Sequence, residues 1–149
     1  MSSGQPVFVE PTKVERVFNR FFGFLVGIGL GPVNSYLLQV RGRKSGRIYS
    51  TPVHLLKFKS TCFLVAPRGR TQWVRNAEAT GEVSLKRGRA IREFRLRAVA
   101  DTERPEILKA YLDTFESTVQ RYFPMPAGSP VESFLSVAAY YPVFELRLR

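Results

Sequence analysis

Cysteine and histidine are nearly missing from this chain of 149 residues, which has one of each, Cys62 and His54. A lone cysteine excludes an internal disulfide framework and any zinc site built on several thiolates. A lone histidine excludes most histidine-based metal sites and weighs against a Ser-His-Asp triad, so no metal site is expected. Acidic residues are also scarce, 12 against 23 Lys and Arg, which leaves a formal net charge of +11. The N-terminal part offers no export signal, because no charged n-region precedes its apolar run and no small-residue cleavage site follows it cleanly, and a cytoplasmic location is expected. Residues 21–40 carry no charge, yet Gly23, Gly27, Gly29, Gly31 and Pro32 interrupt them and Asn34, Ser35 and Gln39 lie inside. That composition fits a membrane-spanning helix poorly.

With 44% hydrophobic and 23% charged residues, the chain reads as globular. Its length suits one domain, residues 1–149, made of an N-terminal helix and glycine-rich connection to residue 33, a core over 34–100 and a C-terminal part over 101–149. The positive charge is concentrated. Residues 41–97 hold 15 Lys and Arg against Glu78, Glu82 and Glu93, a net of +12, whereas the flanks are close to neutral. Most of these cations are arginines, which favours bidentate recognition of phosphate or carboxylate oxygens. An anionic partner is therefore expected.

Val14, Val17, Phe18, Phe21, Phe22 and Leu25 recur at helical spacing and predict an amphipathic helix. It either packs on its own domain or touches the inner face of a membrane through its Phe-rich end. From Tyr36 the period shifts toward two, and strands are predicted at 36–40, 48–58, 61–66, 82–87 and 90–100, joined by short polar or glycine turns. Closely spaced strands of this kind suggest a small antiparallel barrel. Helices are expected at 71–80 and 106–118, a short one at 132–138, and a last strand at 143–148.

The clearest motif is Gly42-Arg43-Lys44-Ser45-Gly46, in a turn between two strands. Two glycines bracket two cations and a hydroxyl, an arrangement that lets backbone amides and side chains meet anionic oxygens. An exposed basic turn accounts for the same residues. The spacing is not that of a P-loop. Further along stand Ala66-Pro67-Arg68-Gly69 and then Trp73 and Asn76 on one face of the expected helix. These elements, in this order, resemble the deazaflavin-dependent nitroreductase family of actinobacterial split β-barrel oxidoreductases, over about residues 35–100.

The resemblance implies a mainly β (α+β) fold, a split antiparallel β-barrel of about six strands with flanking helices, of the FMN-binding split-barrel type. It implies the cofactor coenzyme F-420, an 8-hydroxy-5-deazaflavin with a phosphate and glutamate tail, with FMN as the alternative. Arg43, Lys44, Ser45 and Gly46 are then expected at the phosphate and tail, and Arg68 adds a cation. Ala66, Pro67 and Gly69 approach the ligand, Trp73 and Asn76 border it, and Pro52, Val53 and His54 line the ring. Pro67 stands where some members have Ser, and His54 where some have a phenol. Hydride transfer to a hydrophobic quinone, enone or nitroaromatic is implied, with His54, Tyr140 and Tyr141 as candidates near the reacting groups, and a homodimer is expected. From the residues alone, His54 also reads as a structural histidine, Trp73 and the two tyrosines as packing residues and Cys62 as a small buried hydrophobe. A flavin, haem or lipid carrier without catalysis remains open. A nucleic-acid-binding barrel is disfavoured because aromatics do not alternate with the cations as a stacking platform requires.

Overall fold

One run of sequence supplies both edges of the β-sheet. In the computed structural model, which describes residues 34–149, β1 (Ser35–Arg41) pairs antiparallel with β2 (Ile48–His54) from Ser35↔His54 to Arg41↔Ile48. The chain leaves the sheet at Leu55, whose N–H donates to the Asn34 carbonyl (2.7 Å). It re-enters as β3 (Leu56–Phe58), which pairs with β4 (Thr61–Val65). The single strand expected over 48–58 is thus two. Adding β5 (Glu82–Arg87), β6 (Ala90–Ala98) and β7 (Val143–Leu148) gives a seven-stranded antiparallel sheet in the order β2-β1-β5-β6-β7-β4-β3. The sheet curls until β2 approaches β4 without pairing, the form of a split barrel.

Alternation explains how the sheet carries two cores. On β4, Leu64 faces the barrel interior with Leu38, Val40, Leu85 and Phe144, while Phe63 and Val65 face outward onto a second cluster. Helix α1 (Gln72–Thr80) closes the interior with Val74 and Ala77 and ends at Gly81, in the left-handed region with φ 72°. Helix α2 (Arg104–Val119) covers the outer cluster with Ile107, Leu108, Tyr111 and Leu112. The expected helix over 132–138 is instead two 3₁₀ turns, Val131–Phe134 and Ala138–Tyr140, seated by the buried Phe134 and Ala138. Cys62 is only partly buried, against the barrel interior. The expected helix over 14–25 and the connection after it lie outside the described residues. Among the described residues no helix is long and apolar enough to cross a membrane.

Tyr141 belongs to the outer cluster. It is fully buried, stacks on Phe123 (centroids 4.5 Å apart) and donates its hydroxyl to the Tyr122 carbonyl at 2.6 Å. Burial pushes the phenol pKa upward, so the group stays neutral. Tyr141→Phe strands the Tyr122 carbonyl, and urea denaturation is expected to show a loss of about 1–2 kcal/mol.

Candidate active site

Where β2 passes β4, the curled sheet leaves a cleft of about 570 Å³, within the usual range for small-molecule sites. Its walls come from four places in the chain: β2, the end of β4 with the loop after it, the start of α1, and α2 with the residues after it. Eight residues singled out from the sequence line it. Pro52, Val53 and His54 stand on β2; Ala66, Pro67, Arg68 and Gly69 follow β4; Trp73 stands on α1. Gly69 takes φ 82°, a left-handed backbone that suits glycine, and this turns the chain from β4 into α1. Trp73 serves both readings, since its half-buried ring packs against Phe144 (6.0 Å) and lines the cleft.

The basic turn lies outside the cleft lining but is docked on the helix that forms one wall. Asn76, buried on α1, accepts from the Arg43 backbone N–H (3.1 Å) and from Arg43 Nη1 (2.7 Å), and Nη1 also reaches Gln72 Oε1 (3.1 Å). Its side-chain oxygen therefore anchors the turn. The amides of Gly42, Arg43, Gly46 and Arg47 all bond within the protein, and Ser45 Oγ is engaged with the Arg47 N–H and Tyr49 Oη. Lys44 is exposed and meets no carboxylate among the described residues.

The +12 block is also divided in space. Acidic residues from the C-terminal part fold back onto it: Glu145, which also holds Arg147 at 3.0 Å, binds Arg97 at 2.8 Å, Glu103 reaches Arg97, and Glu106 binds Lys59 at 2.9 Å. The two arginines beside Glu145 hold its carboxyl below the usual range. The β6–β7 face is consequently a mixed ion-pair surface, and part of the charge excess has this structural use.

His54 is held from both sides. Ser35 Oγ lies 3.3 Å from Nδ1, Thr118 Oγ1 lies 3.1 Å from Nε2, and the ring stacks on Phe115 (4.7 Å, 13°). Burial lowers its pKa from the ordinary 6.5 and keeps it neutral. Tyr140 is exposed and Tyr141 buried, and neither lines the cleft. Among the lining residues that sequence reasoning missed are Thr51, Thr71, Tyr111, Thr118, Arg121 and Tyr122. No motif marks them: Tyr111 sits in a periodic helix, and the rest are isolated polar or aromatic positions brought in by β2, the start of α1, the end of α2 and the turn after it. Arg121 lies over the Tyr122 ring (4.7 Å).

The residue pattern fits a flat, acid-tailed ligand. Apolar Pro52 and Val53 stand on one wall and Trp73 on another, cations stand at Arg68 and at the docked turn, and Thr71 Oγ1 is buried with no hydrogen-bond partner. The model of the F-420H(2)-dependent quinone reductase family matches residues 12–122. The chain belongs to this family, one of oxidoreductases that use coenzyme F-420. Solved structures share the fold at low identity. An F-420-H2 dependent reductase (FDR-A) is 19% identical with a TM-score of 0.51, over 77% of this chain and 95% of that one. HutZ, the heme storage protein from Vibrio cholerae, is 13% identical with a TM-score of 0.53, over 93% and 92%. Atu2129 from Agrobacterium tumefaciens, of unknown function, is 16% identical with a TM-score of 0.55, over 96% of this chain, which spans 58% of that protein. No functionally curated protein matches the chain significantly.

Asn76→Ala removes the acceptor for two Arg43 donors and is expected to destabilise the fold by about 1–3 kcal/mol in urea denaturation. A lowered histidine pKa means that the unfolded chain takes up a proton where the folded one does not. Stability is then complete above pH 6.5 and lost as pH falls toward the folded-state value. Between about pH 7 and pH 5.5, thermal denaturation of His54→Gln should show a smaller fall in Tm than the wild-type protein.

Proposed function

We propose that this cleft holds reduced coenzyme F-420 beside a hydrophobic acceptor of the quinone, enone or nitroaromatic class. The docking of the basic turn onto α1 carries the reading: Arg43 is bonded to Asn76, and Trp73 in the cleft wall is less than one helical turn away. A ligand with its ring in the cleft and an anionic tail along this helix meets apolar walls at one end and Arg43 and Lys44 at the other. When bound, reduced F-420 supplies the hydride. Pro52, Val53 and Trp73 hold a flat ring and exclude water, Arg68 and Lys44 provide charge for phosphate and carboxylate oxygens, and the buried Thr71 hydroxyl gains a partner. Alignment of donor and acceptor within such walls accounts for rate enhancement without a covalent protein nucleophile.

Haem is a weaker fit, because the single histidine has both ring nitrogens hydrogen-bonded to hydroxyls. Fluorescence or calorimetric titration with reduced and oxidised F-420, FMN, haem and a single-stranded oligonucleotide separates the readings. Tight binding of F-420 alone is expected, and micromolar binding of another ligand without F-420 would overturn the assignment. Lys44→Ala is the clean tail variant, since Arg43 also holds the turn. It should weaken F-420 binding several-fold at low salt and less at high salt, where charges separated by more than a few ångströms are screened.

A further inference from the structure

Thr118 has one hydroxyl proton and two close neighbours. Its Oγ1 lies 3.1 Å from the Phe115 carbonyl, which can only accept, and 3.1 Å from His54 Nε2. With the Thr118 proton directed to that carbonyl, the same oxygen accepts from His54, so Nε2 carries the ring proton and Nδ1 the lone pair. Ser35 Oγ, 3.3 Å from Nδ1 on a fully buried residue, then donates to it. With that proton so placed, the direction follows along the whole chain: Ser35 donates to His54, His54 to Thr118, and Thr118 to Phe115. A kink in α2 at Phe115 (φ −113°, ψ 27°) accompanies this arrangement, and the Phe115 ring lies flat against the imidazole. Burial that keeps the imidazole neutral agrees with it. His54 and Thr118 both line the cleft, and Thr118 is exposed.

The geometry points to Thr118 as a catalytic hydrogen-bond donor to the oxygen of the acceptor reduced in the cleft, with His54 and Ser35 as positioning residues behind it. This rests on the functional reading above. Two-electron reduction of a quinone or enone adds a hydride to the acceptor and moves an electron pair onto its carbonyl oxygen, which a proton from water then neutralises. As that charge grows, the Thr118 O–H turns from the Phe115 carbonyl to the acceptor oxygen, and no bond within the protein is made or broken covalently. The His54 N–H behind it polarises the hydroxyl, as donors in a chain strengthen one another. A donor held in place for charge that appears only during the reaction lowers the barrier rather than tightening substrate binding.

The single histidine makes the chain directly observable. In tag-free, ligand-free protein labelled with ¹⁵N-histidine, NMR should show one neutral imidazole protonated at Nε2. Thr118→Val should lose that single tautomer and lower kcat for a soluble quinone about ten-fold or more, with the Kd for F-420 unchanged. Thr118→Ser should restore both. An imidazole protonated at Nδ1 in a protein that binds F-420 overturns this proposal alone, as does wild-type kcat in Thr118→Val. Failure of the wild-type protein to bind F-420 overturns the functional reading and the catalytic role of Thr118 with it.

Discussion

The cleft exists because one stretch of chain forms both edges of an antiparallel sheet. Residues 48–58 leave β1 at His54 and join β4 at Leu56, and only Leu55 lies between the two pairings. So short a crossing forces the two ends of the sheet together. The sheet must curl, and β2 comes to face β4 across a gap that neither bridges with backbone hydrogen bonds. Side chains that would lie on a flat, exposed edge strand instead become walls, which explains why Pro52, Val53 and His54 face the residues after β4.

Around that gap the polar groups have distinct duties. Asn76 uses its buried carbonyl oxygen to fix the basic turn on α1, so the cations near the cleft are positioned by a helix rather than by a free loop. His54 ties β2 to the end of α2 through Thr118 and Phe115. The second tie crosses from barrel to helix exactly where a ligand would separate them, and it gives the far wall of the cleft a defined position. Rigid placement of this kind is what a hydride-transfer site needs, because the cofactor brings the reactive group and the protein contributes distance, orientation and dryness.

Charge counted along the chain and charge arranged in space tell different stories. The central block is strongly basic by sequence, yet Glu103, Glu106 and Glu145 return to it from the C-terminal part and pair with its cations. Lys44, on the docked turn, is exposed and meets no carboxylate among the described residues, and Arg68 stands in the cleft wall. The surface pairs themselves add little stability, since exposed ion pairs are screened by solvent, but they reduce the field that a nucleic acid would feel.

Strand alternation, the glycine-bracketed turn and the ordered motifs from Gly42 to Asn76 were legible in the sequence, because local spacing determines which face a side chain takes and which turn a glycine permits. The spacing was enough to indicate a small antiparallel barrel, and the family resemblance carried by the ordered motifs implied the split barrel, the cofactor and residues that line one side of the cleft. The break at Leu55 was not legible: an unbroken β pattern does not say which partner each half pairs with. The other wall was also hidden, as Thr71, Thr118 and Arg121 carry no periodic or motif signal. Even Asn76, found by its motif, had its immediate partner decided by the fold. Hydrogen bonds between residues 33 or 64 positions apart, such as Arg43 to Asn76 and His54 to Thr118, depend on how the sheet curls and where the helices dock. Only the tertiary structure brings those groups within reach of one another.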